Sequence, residues 1–147
     1  QIQPDLDIRV SAFIPENYIE NTSSRMDAYK EIAEIDSVET EKEFISDIGD
    51  TFGKIPSEVY SLIDIVMCKL FAIKLKLKGI TITKNSVFIS LFNYNSFSDK
   101  KLQKSLDRFN EFVKISMTGT PKIIFLKTDE NNRDMLKRVR EFLQFAF

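Results

Sequence analysis

Between Pro56 and Gly79 the apolar residues Val59, Leu62, Ile63, Val66, Leu70, Ile73 and Leu77 recur at three- and four-residue intervals, the period of a helix. Pro56 suits the first helical position, where its missing N–H costs nothing, and Glu58 suits the positive end of the helix dipole. Run as far as Gly79, such a helix is about 34 Å long and can serve as a spine for the elements on either side. Asp64, Lys69, Lys74 and Lys76 interrupt the apolar run too often for a lipid-facing span of about 20 residues, so a buried helix is expected and a membrane partner is not. The single cysteine, Cys68, falls inside the same pattern and has no internal disulfide partner. That favours a packing role and a reducing compartment such as the cytoplasm.

The periodicity differs on the two sides of this helix. Ahead of it, Leu6, Ile8 and Val10 alternate with polar residues and stop at Pro15, which predicts an edge strand. Met26, Tyr29, Ile32 and Ala33 predict a first helix capped by Ser23 or Ser24. Asp36 and Glu39 have capping-box spacing before a second helix through Phe44, Ile45, Ile48 and Phe52, with Gly53 as its αL terminator. After it, Ile80 and Ile82, then Val87, Ile89 and Leu91, predict a hairpin, with Phe88 and Phe92 making its second face apolar and covered as well. Leu102, Leu106, Phe109 and Val113 predict a helix capped by Ser98 or Asp99. A second hairpin turns at Gly119-Thr120-Pro121, and Leu136, Val139, Leu143 and Ala146 mark a last helix. The fold class is α+β, with a strand and three helices packed on a small, mainly antiparallel sheet of ββα-ββα order. Residues 1–147 form a single domain, mainly helical over 1–79 and ββα-ββα over 80–147. The opening Gln-Ile-Gln-Pro, without an initiator Met, reads as a piece of a larger multidomain protein.

Several chemistries are excluded by what is missing. With no histidine there is no Ser-His-Asp, Cys-His or zinc-histidine site, and with only Gly49, Gly53, Gly79 and Gly119 there is no glycine-rich phosphate loop. No catalytic residue, cofactor or metal ligand is assigned. Carboxylate pairs such as Glu31 with Glu34, or Glu39 with Glu43, read as solvated surface charge. The 21 basic and 22 acidic side chains nearly cancel, which argues against a general affinity for nucleic acid. The alternative function is a module for single-stranded nucleic acid, using Phe88, Phe92, Tyr94 and Phe97 with the Lys100, Lys101, Lys104 and Arg108 face.

Two blocks carry a family resemblance. Ala12-Phe13-Ile14-Pro15-Glu16-Asn17-Tyr18-Ile19, followed by Arg25 and Tyr29-Lys30, resembles the opening of the C-terminal regulatory domain of bacterial transcription-repair coupling factor, with its Ile-Pro-x-x-Tyr-Ile turn, Arg and Tyr-Lys. Asp47-Ile48-Gly49-Asp50-Thr51-Phe52-Gly53-Lys54-Ile55-Pro56 is similar to that family's Glu-Leu-x-Asp-Arg-Phe-Gly-x-Leu-Pro block, with Asp47 in place of Glu and Thr51 in place of Arg. The motif residues Pro15, Tyr18, Arg25, Tyr29, Phe52, Gly53 and Pro56 have structural reasons to be there: turns, caps and ring packing. Asp47 and Asp50 do not, since negative charge near a helix C-terminus is mildly unfavourable. The resemblance implies a domain without enzyme activity, within an ATP-dependent DNA translocase that acts on stalled RNA polymerase in nucleotide excision repair of DNA damage. It implies autoinhibition, the domain packing on an N-terminal UvrB-like module and masking the surface that recruits UvrA. Asp47 and Asp50 are then candidates to pair with arginines of that module.

Overall fold

The computed structural model describes residues 2–147. Two compact units are present, Ser11–Met67 and the segment through Val10 together with Cys68–Phe147.

In Ser11–Met67, α1 (Thr22–Ala33) is capped by Asn21, whose side-chain oxygen accepts from the Ser24 N–H, so the helix starts ahead of the serines expected to cap it. α2 (Val38–Phe52) begins with a capping box, but its partners are Ser37 and Thr40 rather than Asp36 and Glu39. The Ser37 hydroxyl accepts from the Thr40 N–H at 3.0 Å, and Thr40 Oγ1 accepts from the Ser37 N–H at 3.0 Å. A hydroxyl is short enough to close both bonds, which leaves Glu39 free to complement the dipole of the first turn. Gly53 ends α2 at φ 89° and ψ −160°, a positive φ as expected but outside the αL well. The buried residues lie at helical spacing, Ala28 and Ile32, Phe44 and Ile48, then Val59, Ile63 and Met67 on α3 (Ser57–Lys74), while Met26 and Ala33, expected to be inside, and Phe52 are exposed.

That third helix is shorter than its apolar pattern. It has 18 residues, about 27 Å, and stops at Lys74. The Lys76 N–H donates to the Ile73 carbonyl and the Leu77 N–H to the Ala72 carbonyl, with Lys76 at φ 56°. This is a Schellman turn in which lysine takes the left-handed place usually held by glycine. Leu77 remains buried although it has left the helix.

Gly79 is therefore released from capping and opens β2 (Gly79–Ile82) instead. The sheet order is β1-β2-β3-β5-β4, with β1 (Asp5–Ile8) at one edge and β4 (Val113–Ser116) at the other. β1 runs parallel to β2, a pairing that the long helical excursion between them makes possible, and the other three pairings are antiparallel. β3 (Val87–Ser90) pairs with β5 (Lys122–Phe125), so the second hairpin folds outward and leaves β4 at the margin. Val113, expected at the end of the fourth helix, belongs to β4, because α4 (Lys100–Arg108) ends before Phe109. Phe92, expected to be covered, lies beyond the end of β3 and is 47% exposed. The core of this unit joins Ile80, Ile82, Ile89 and Ile123 of the sheet to Met135, Leu136, Val139 and Leu143 of α5 (Asn132–Phe145). Ser105 Oγ on α4 donates to the Phe142 carbonyl at 2.7 Å, satisfying a fully buried hydroxyl.

Candidate partner-binding site

Seven motif residues frame one region of Ser11–Met67. Pro15 closes a turn by accepting from the Tyr18 and Ile19 N–H groups. The Tyr18 hydroxyl then donates to the Gly53 carbonyl at 2.9 Å, with the Ile48 carbonyl at 3.4 Å, and so ties this turn to the end of α2. Burial first, and then the nearby Tyr60, push the Tyr18 hydroxyl above its ordinary pKa. The Tyr18 and Phe52 rings sit 6.0 Å apart. Tyr29 on α1 accepts the Ile14 N–H at 2.9 Å, and Arg25 Nη1 donates to the Ile19 carbonyl at 2.9 Å. The Pro56 carbonyl accepts from Val59 and Tyr60 at the start of α3. These side chains are engaged within the domain, and their work is to hold loops against helix ends.

The exposed face of the same region is different in character. Along α1, Asp27 and Glu31 lie one turn apart and point into a groove shared with α2, where Asp47 faces them. Ala28, Phe44 and Ile48 form the floor of this groove of about 290 Å³, Phe52 stands at its end, and no Lys or Arg lines it. Asp47 is on the last turns of α2, where the dipole already disfavours a carboxylate. Thr51, which stands where the resemblance has Arg, turns its hydroxyl back to the Asp47 carbonyl at 2.8 Å, so it supplies no cation to the groove. Asp50 is exposed as well, but three residues along a helix is about 60° around its axis. It is Asp47's neighbour on the helix surface but lines a different recess, beside Gly49, Lys54 and Tyr60. The two aspartates stand side by side on the exposed ridge of α2 and border separate recesses.

Sequence reasoning missed Asp27 and paired Glu31 with Glu34. The usable signal was the spacing of Asp27 and Glu31 on the flank next to the apolar stripe through Ala28 and Ile32. The basic and aromatic residues of the other unit do not form one surface. Phe88 lies under Lys122 at 4.8 Å, and Phe92 lines a recess with Ile73 and Leu77. Lys101 and Lys104 of α4 sit instead over Phe147 and Phe145. Tyr94 donates to the Met117 carbonyl at 2.7 Å. Among the described residues no cluster of three or more His, Cys, Asp or Glu side chains could hold a metal, and no helix is long and apolar enough to cross a membrane.

The TRCF domain family matches residues 8–102. Transcription-repair-coupling factor of Rickettsia bellii is 30% identical over 125 residues, covering 84% of this chain and 11% of that protein. The Bacillus subtilis protein of the same name is 24% identical over 136 residues, covering 91% of this chain and 12% of its own length. The chain thus spans about a tenth of the length of these relatives. Its fold matches a crystal structure of the C-terminal domain of transcription-repair coupling factor, with a TM-score of 0.80 at 21% identity over 98% of this chain and 91% of that one. The motif blocks in Ser11–Met67 fall inside the matched span, and the α+β fold is that of the solved C-terminal domain: the chain belongs to the TRCF domain family.

Proposed function

We infer that this domain is an autoinhibitory clamp in a transcription-repair coupling factor that works in the cytoplasm as a DNA translocase on stalled RNA polymerase. It packs on the N-terminal UvrB-like module of the parent protein and covers the surface that recruits UvrA, until motor action releases it. The clamp needs no chemistry of its own; it needs a surface that fits a partner with moderate strength. What supports the reading is the groove of Asp27, Glu31 and Asp47, three exposed carboxylates over an apolar floor with no cation in its lining. Such a lining favours a partner that brings arginines, whose planar fork meets carboxylates in two parallel bonds. Asp50, beside Asp47 on the exposed ridge of α2, extends the contact past the edge of the groove.

A reversible clamp should contribute a coupling of about 1–3 kcal/mol, which changes the affinity for UvrA by about 5- to 150-fold. Replacing Asp47 and Asp50 with Ala in the full-length protein should therefore tighten resting UvrA binding by a factor in that range, measured by calorimetry or surface binding. Adding Asp27→Ala should tighten it further. Resting affinity for UvrA unchanged by the triple substitution would refute the clamp at this groove.

A further inference from the structure

The near-neutral total charge hides a sharp division. Ser11–Met67 carries 13 Asp and Glu against 4 Lys and Arg, a net charge of −9; the remainder carries 17 Lys and Arg against 9 Asp and Glu, a net charge of +8, and the two together give the −1 of the chain. Within the basic unit, positive charge gathers where α4 meets the end of α5. Lys101 Nζ lies 5.0 Å from the centroid of Phe147, and Lys74 Nζ lies 5.8 Å from the same ring. Lys104 Nζ lies 5.0 Å from Phe145, and Arg108 Cζ lies 5.8 Å from Phe145 and 5.4 Å from Phe109. All four are exposed. Among the described residues none of them is within ion-pair distance of a carboxylate.

Like charges gathered without counter-ions oppose folding, and attraction to the rings offsets this only in part, by about 0.5–1 kcal/mol for each exposed contact. The gathering is therefore suited to an anion. Lys101, Lys104 and Arg108 are three and four residues apart, a stripe about 10 Å long on one side of α4. A protein partner would anchor apolar or aromatic side chains in pockets at the centre of the contact. Here the rings are already occupied: Phe147 stacks on Phe71 at 5.6 Å and carries two cations, while Phe145 meets Phe109 edge-on and carries two more. An unpaired base would have to displace these cations before it could stack on either ring. A line of phosphates asks only for cations in a row.

We propose that the Lys74, Lys101, Lys104 and Arg108 face binds the phosphate backbone of a nucleic-acid duplex without reading its sequence. The whole chain is titrated into a labelled duplex of arbitrary sequence, followed by fluorescence anisotropy across a salt series. With about four phosphates neutralised, the slope of log K against log salt is about −3.6, so binding weakens on the order of 100-fold between about 50 and 200 mM salt. Lys101→Gln with Lys104→Gln flattens that slope by about 1.8, whereas Lys30→Gln with Lys42→Gln, in the acidic unit, leaves it unchanged. If the first double variant does not fold, Lys74→Gln and Arg108→Gln made singly each flatten the slope by about 0.9. Three results would each overturn the proposal: no binding at about 50 mM salt, a slope indifferent to these substitutions, or polyglutamate bound more tightly than the duplex. A single strand of equal length bound more tightly than the duplex would also overturn it, because that requires bases stacked on the rings in place of the cations.

Discussion

Gly79 and Gly49 invite the same substitution with opposite results. Gly79 pairs with Asp5 where β1 joins β2, and a Cβ there would lie 2.6 Å from the Asp5 carbonyl oxygen and 3.1 Å from Ser90 Oγ. The serine can rotate away, but the carbonyl belongs to the ladder and cannot. β1 must shift or detach, and it has no other neighbour in the sheet. Overpacking of this kind costs about 1–3 kcal/mol. At Gly49, in the interior of α2, the added methyl meets only Ile55 Cδ1 at 3.9 Å, an ordinary contact. There Ala should add about 0.5–1 kcal/mol, because glycine loses more backbone freedom in a helix. Urea unfolding should therefore give a lower midpoint for Gly79→Ala and a higher one for Gly49→Ala. Amide exchange locates the damage: the Arg9 N–H, bonded to the Ile82 carbonyl at 2.8 Å, should lose protection only in Gly79→Ala. A Gly79→Ala protein with the parent midpoint and a protected Arg9 amide would refute the claim that β1 requires this close approach.

Tyr18→Phe removes the hydroxyl that ties the Pro15 turn to the Gly53 carbonyl and should cost about 0.5–1.5 kcal/mol in thermal unfolding. Ser37→Ala should cost about 1 kcal/mol while Glu39→Gln costs little; the reverse order would return the capping box to Asp36 and Glu39. Hydrogen bonds from Arg138 hold the Glu130 carboxyl below its ordinary pKa. A depressed folded-state pKa contributes stability above the unfolded value and loses it as pH falls through the folded value. Glu130→Gln should therefore lower the urea midpoint at neutral pH, and the difference from the parent should vanish on the acid side of the usual carboxylate range. A difference that persists there would assign the effect to packing of Arg138 against Phe112, 4.7 Å from the ring centroid, rather than to charge.

Much of the fold is written in periodicity. The helices, the edge strand and both hairpins occur where periodicity and turn residues predict them, but the α1 stripe is turned: Ile32 is buried with Ala28, while Met26 and Ala33 are exposed. The errors have local physical causes. Leu77 keeps helical spacing after the helix has ended because Lys76 reverses the chain and still delivers Leu77 to the core. Val113 keeps the spacing of α4 because a strand that starts a few residues later also needs an inward apolar residue. Gly79 invites reading as a cap, yet its lack of a side chain serves a neighbouring strand 74 positions earlier, at Asp5, which no local pattern reveals. The site was legible only in part. Asp47 and Asp50 stand out as charges in an unfavourable place, but which recess each borders, and the approach of Asp27 and Glu31 to Asp47, depend on how α1 packs against α2.

Charge shows most clearly what totals conceal. The near cancellation of Lys and Arg by Asp and Glu reads as the absence of a field, yet residues 11–67 are strongly acidic and the remainder strongly basic. Neither excess helps folding, since each unit must hold its own like charges together, and Asp47 adds an unfavourable position on the dipole of α2. Arrangements that cost stability in the isolated domain are relieved when counter-charges arrive, by dissolved salt weakly or by an opposite surface more strongly. The acidic groove and the basic face thus stand ready for partners of opposite sign. The same charges that oppose folding of the domain alone would then make its contacts selective for surfaces of opposite sign.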